Sequence, residues 1–175
     1  MQEREIDLEN EVEALTEEMQ EWAEKQADTE FGSTQYRRIE YEGETVGRYR
    51  NGVQWAADEF GSVTLRPITD GLRRAIRDVS NDTAFDRDQC LVAIGTLEAP
   101  YVAHDPEGLS PNDDDLQDTL ANIADLHPAY VDWASERISD LGAMGDDLGN
   151  SYRDMLLATQ TAKAKPETTG SDTAE

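Results

Sequence analysis

The chain has 175 residues, a formal net charge of -24 at pH 7 and a mean hydropathy of -0.73, which together fit one modest core with polar extensions. Cys90 is its single cysteine, so an intramolecular disulfide and a cysteine-based zinc site are both excluded. No apolar run of 18 residues occurs, which excludes a membrane-spanning helix of the usual kind, and MQEREIDLENEVEAL carries no apolar stretch of signal-peptide type. The expectation is a soluble protein that is not exported by that route.

The 39 acidic residues face 15 basic ones, of which only Lys25, Lys163 and Lys165 are lysines. This composition resembles that of halophilic archaeal proteins. In molar salt the Debye length falls to about 3 Å, so a dense acidic surface stays hydrated while its self-repulsion is screened. A DNA mimic or a binder of basic proteins is the competing reading of such acidity, although habitat already accounts for it. Charge is uneven along the chain: residues 1–30 carry -10, residues 31–79 carry +1 and residues 80–175 carry -15.

From Glu3 to about Ala27, the residues Leu8, Val12, Leu15, Met19 and Trp22 recur at spacings of four and three, which predicts an acidic amphipathic helix with a heptad seam. Glu9, Glu11 and Glu18 flank that seam. Parallel self-pairing would therefore juxtapose like charges, so the stripe is expected to meet another surface, to pair only in high salt, or to pack on its own domain. YRRIEYEGETVGRY, residues 36–49, reads as a β-hairpin about Gly43, and Asn51-Gly52 as a further turn. VQWAADEF fits strand or helix. Val63-Thr64-Leu65, closed by Pro67, reads as a third strand.

Thr69 can cap a helix bearing Leu72, Ala75, Ile76 and Val79, and Asp82 to Asp86 opens another that carries Cys90, Leu91, Ile94 and Leu97 and ends at Pro100. After the acidic loop HDPEGLSPNDDD comes a helix with Leu116, Leu120 and Ile123. A fourth, beyond His127-Pro128, has Val131, Ala134, Ile138 and Leu141 on one side and is expected to stop at Gly142 and Gly145. Residues 146–160 suit one more helix through Leu148, Tyr152, Met155 and Leu156. The last stretch, 161–175, has no apolar periodicity and is expected to be disordered.

The predicted fold is thus mainly α with a small antiparallel β element: an acidic helical arm over 1–30, a mostly helical α+β core over 31–160 and a disordered tail. Four to five short helices make up the bundle.

No nucleophile elbow, phosphate loop, dinucleotide fingerprint or common zinc motif is present. The two histidines, His104 and His127, lie near prolines at helix ends and read as surface or capping residues. Asp105, Glu107, Asp113, Asp114 and Asp115 could offer oxygens to a hard cation, but their spacing is not that of an EF-hand, and Asp113 and Asp114 suit a helix N-terminus. No metal or cofactor is expected. Arginines 37, 38, 48, 50, 66, 73, 74 and 77 could grip phosphate while Tyr36, Tyr41, Tyr49 and Trp55 stack on bases. Seven acids interleave with these eight arginines, however, and molar salt suppresses counterion-release binding, so nucleic acid is not the expected partner. Arginine geometry suits bidentate pairing with carboxylates, either on the N-terminal helix or on an acidic partner.

VTLRPITDGLRRAI, a strand running directly into a helix, and DQCLVAIGTLEAPYVAHDPEGLSPNDDDLQDTLANIADLHPAYVDWASERISDLGAM together resemble the tail assembly chaperones of long-tailed phages, over about residues 60–145. The resemblance implies a protein of a haloarchaeal virus or provirus. It would coat the helical tape-measure protein and recruit tail-tube subunits without bond chemistry, acting in the host cytoplasm. Partner-binding candidates are then the heptad face Leu8, Val12, Leu15, Met19 and Trp22, the central Arg66, Arg73, Arg74 and Arg77, and the terminal Leu148, Tyr152 and Leu156. A structural virion protein, such as a minor tail or head-tail connector component, and an adaptor acting through the N-terminal helix are the alternatives.

Overall fold

The computed structural model describes residues 3–108 and 114–145. The predicted helix over 146–160 and the tail over 161–175 lie outside these residues, as do Leu148, Tyr152, Leu156 and Asp113. The protein is mainly helical with a small antiparallel sheet. In chain order the elements are β1 (Arg4–Asp7), α1 (Leu8–Ala27), α2 (Thr34–Phe60), β2 (Ser62–Leu65), α3 (Asp70–Asp82), α4 (Arg87–Gly95), β3 (Thr96–Glu98), α5 (Asp114–Ala124) and α6 (Pro128–Gly145).

The N-terminal helix starts later than its stripe suggested. Arg4–Asp7 form a strand instead, and β1 pairs with β2 in the register Ile6↔Val63 and Glu5↔Thr64. Asp7 then caps α1 by accepting from the amides of Glu9 and Asn10. Residues 4–27 are therefore built into the core domain and do not form an arm beside it.

The expected hairpin over 36–49 is instead the first half of one 27-residue helix, α2. Ile39, Val46 and Val53, seven residues apart, form its buried stripe, and its glycines sit at helix crossings. A Cβ at Gly43 would stand 3.4 Å from the Trp22 Cβ of α1, and one at Gly47 would stand 3.5 Å from the Met19 Cε. Gly52, also read as a turn, is buried where α2 meets α6, and an added Cβ would fall 2.3 Å from the Tyr130 amide nitrogen. The turn lies where α2 ends: Gly61 has φ 79°, and its amide donates to the Ala57 carbonyl.

Val63, Thr64 and Leu65 form the expected strand, which is central in the order β1-β2-β3. Thr69 caps α3 by accepting from the Leu72 amide, as expected. Asp86 and Gln89 make a reciprocal capping box on α4. That helix does not continue to Pro100. It ends at Gly95, and Leu97 belongs to β3, which pairs with β2. Residues 90–95 are buried on every side, so α4 is the inner helix, with α3, α5 and α6 packed around it. At the crossing of α4 and α6 a Cβ on Gly95 would lie 2.5 Å from the Ile138 Cδ1.

α6 places Val131, Ala134, Ile138 and Leu141 in the core as expected and adds Tyr130 and Trp133, the two largest fully buried side chains. It runs through Gly142 and reaches Gly145.

Candidate interaction surface

Arginines in the middle of the chain divide into two groups by what they touch. Arg66, at the end of β2, donates from Nε to the Ile94 carbonyl at 2.9 Å and from Nη2 to the Pro106 carbonyl at 3.0 Å, while its amide donates to Gly95. It satisfies carbonyls at the C-terminus of α4 that the helix leaves open, and it ties the 105–108 loop to them. Burial pulls its guanidinium below the ordinary arginine value, with nearby Glu107 opposing. Arg66 therefore joins elements of its own fold. Arg48 pairs with Asp132 of α6 at 2.7 Å, and Arg50 donates to the Thr16 hydroxyl of α1 at 2.7 Å. Arg137 of α6 pairs with Glu11 of α1, whose carboxylate also accepts from the Trp133 indole at 3.2 Å.

Arg73, Arg74 and Arg77 are different. Ile76 and Val79 turn α3 inward against α4, and the three arginines occupy the opposite, solvent side. All three are exposed, and none forms an ion pair with a described residue. Arg73 and Arg77 stand four residues apart, which disfavours an isolated helix by a few tenths of a kcal/mol, whereas the spacings Asp70 to Arg74 and Arg74 to Asp78 favour it by similar amounts. The same helix carries the exposed Asp70, Asp78 and Asp82, so α3 is neutral overall in a chain of net charge -24, and its three arginines offer guanidiniums to solvent without a net basic patch.

The heptad stripe of α1 lies on the other side of this division. Leu8 and Leu15 are buried, and Val12, Met19 and Trp22 pack against the same core. The helix α2 takes the seam. The stripe therefore packs on the protein's own core, with Leu8 and Leu15 buried and Val12, Met19 and Trp22 left partly exposed along it.

Polar groups in the interior are arranged for structure. The Thr96 hydroxyl donates to the Val92 carbonyl at 2.7 Å and meets the Tyr101 hydroxyl at 3.0 Å, which in turn meets Tyr130 at 2.9 Å. Burial pushes Tyr101 up to about 12 and Tyr130 well above its ordinary value, so both stay neutral. Cys90, also buried, is pushed up to about 11 and remains a thiol, which is a poor nucleophile. His104 is buried with Nδ1 2.8 Å from the Thr119 hydroxyl, so it is not the surface residue its sequence neighbours suggested. His127 caps α6, accepting from the Ala129 amide. Among the described residues no group of three His, Cys, Asp or Glu side chains could hold a metal ion, and no helix is long and apolar enough to cross a membrane.

Two open clefts of about 330 Å³ flank Arg137. One is lined by β1 and the start of α1, the other by Glu18, Glu42, Tyr49, Trp133, Glu136 and Asp140. The second is the most acidic concavity of the pair.

The comparisons give no match. No family model, curated protein or solved structure is similar to this chain. The arginine face of α3 was legible in the run DGLRRAIRD, where the spacing of Leu72, Ile76 and Val79 leaves positions 73, 74 and 77 outside. The ties made by Arg66, Arg137 and Glu11 had no sequence signal, since their partners lie 28 to 126 residues away.

Proposed function

We propose that this protein is a non-enzymatic virion-assembly chaperone of a haloarchaeal tailed virus. In this reading it holds the tape-measure protein and unassembled tail-tube subunits in the host cytoplasm during tail morphogenesis. The observation that carries the reading is the solvent-facing trio Arg73, Arg74 and Arg77, on the helix where the resemblance begins. Fork-shaped guanidiniums on a rigid helix suit carboxylate-bearing partner segments, and a strongly acidic remainder keeps the complex dispersed. At high ionic strength only close, bidentate contacts keep their value, which suits arginine better than lysine.

A tagged full-length protein recovered from infected cells at molar salt, with bound proteins identified by mass spectrometry, tests this directly. Tape-measure protein or free tube subunits should be retained by the wild type and lost by R73E/R74E/R77E, while thermal unfolding stays within about 0.5 kcal/mol, as usual for surface substitutions. Equal retention by the triple variant rules out the role of α3. Recovery of the protein inside finished particles replaces the chaperone reading with a structural virion one.

A further inference from the structure

β1 is an edge strand: β2 pairs with one side of it, and among the described residues no strand pairs with the other. Which backbone groups face the open side follows from one bond. The Leu8 amide donates to the Gly61 carbonyl at 3.0 Å, and Leu8 stands opposite Gly61 in the register set by Asp7↔Ser62 and Ile6↔Val63. Bonded and non-bonded pairs alternate along an antiparallel ladder, so Arg4 and Ile6 turn their amides and carbonyls toward β2 while Glu5 and Asp7 turn theirs away. The far side of β2 agrees, since the Arg66 amide donates to Gly95, which puts Thr64, the residue opposite Glu5, on the β3 side of the ladder. The Asp7 carbonyl serves the first turn of α1, which leaves the Glu5 amide and carbonyl and the Asp7 amide for an added strand. One of the clefts of about 330 Å³ runs along this side. Arg4, Glu5, Ile6 and Asp7 all line it, and consecutive residues whose side chains alternate between two faces share one cleft along the strand's edge.

Side chains decide what fits there. Paired residues share a face, so Glu5, Asp7 and Glu98 stand together around Ser62 and Thr64, and no basic residue of the three strands is on that face. Arg4 lies on the opposite face with the buried Ile6, and Arg137, across the cleft, is engaged by Glu11. We infer that β1 is a docking edge for an extended segment of a partner protein that carries Lys or Arg at alternate positions and joins the sheet as an antiparallel fourth strand. Bonds to the Glu5 and Asp7 backbone supply affinity, basic side chains opposite Glu5 and Asp7 supply selectivity, and apolar residues between them extend the inner face beside Ile6. A second copy of β1 fits poorly. Antiparallel strands pair outward-turned residues with each other, and here both are acids, so an overlapping register sets acid opposite acid and guards the edge against self-association. The inference uses no part of α3 and stands or falls apart from the proposed function.

Solvent exchange of backbone amides tests it, followed by NMR on the ¹⁵N-labelled full-length chain with and without the peptide Lys-Val-Lys-Val-Lys-Val-Lys. With nine-tenths of the molecules occupied, the Glu5 and Asp7 amides should exchange about tenfold more slowly, while the Ile6 amide, already bonded to β2, changes little. No slowing at Glu5 and Asp7, or equal slowing by Glu-Val-Glu-Val-Glu-Val-Glu, overturns the inference. Slowing that grows with protein concentration in the absence of peptide means that a second copy holds the edge, which also overturns it. Two variants then separate the ladder from the charge. E5Q loses the charge alone, whereas E5P also loses the outward amide, a change that an edge strand tolerates because no bond to β2 is removed. With both folded by circular dichroism, E5P should bind the basic peptide about fivefold more weakly than E5Q, the weight of one hydrogen bond, and equal affinity would overturn strand addition.

Discussion

Four glycines in helices show how much a single hydrogen atom decides in this fold. Replacing Gly52 with alanine would force a methyl to within 2.3 Å of the Tyr130 backbone nitrogen, and neither helix can yield without losing the contact between α2 and α6. G52A should therefore lose about 3 kcal/mol or more by chemical denaturation, at the upper end of overpacking effects. Gly47 presents the opposite case. Its added Cβ would meet only the flexible end of Met19 at 3.5 Å, so G47A should gain up to about 1 kcal/mol from helix propensity. Equal effects at the two sites would refute the close-approach explanation. Titration adds a second expectation at this scale. Tyr101, pushed up to about 12 in the fold, and Cys90, pushed up to about 11, both favour the protonated native state. Unfolded chains release these protons first, from about pH 8.5 for the thiol and 10 for the phenol, so stability is intact below that window and is lost as pH rises through 11 to 12. Alkaline unfolding followed by circular dichroism should begin near pH 9, and Y101F should flatten its later part.

At the scale of elements, the association of α1 with α6 depends on one carboxylate. Glu11 receives both the Trp133 indole and the Arg137 guanidinium from α6, while its own helix is otherwise held by α2. Truncation to alanine leaves the Trp133 indole without its acceptor and the Arg137 guanidinium with only Asp140, 3.9 Å away on its own helix, for which a loss of about 1–3 kcal/mol is the ordinary cost. E11A should also raise proteolytic cleavage within α1 before global unfolding; unchanged local protection would mean that α2 alone fixes the helix. Much of this level was legible. Caps at Thr69 and Asp86, the strand at Val63–Leu65 and the apolar faces of α3, α5 and α6 follow from local chemistry. The hairpin over 36–49 did not, because a glycine between glutamates carries the same letters whether it turns the chain or admits a neighbouring helix. Only Trp22 and Met19 of α1, brought opposite it by tertiary packing, distinguish the two.

For the whole molecule, a net charge of -24 means that compaction works against self-repulsion. Raising salt from about 0.1 M to 1 M shortens the Debye length from about 10 Å to about 3 Å, so the unfolding temperature should climb steeply over that range. A temperature independent of salt would show that self-repulsion of the acidic excess does not limit stability. Sequence by itself determined the acidity, the single core, the helical majority and the outward placement of Arg73, Arg74 and Arg77, because composition and periodicity act through neighbours a few residues apart. Tertiary structure alone decided that the heptad stripe of α1 is internal, that β1 precedes it, and that Arg66 is a tie while the α3 arginines stay open. Each of those outcomes depends on which surface another element brings, and an amphipathic stripe specifies only that something must cover it.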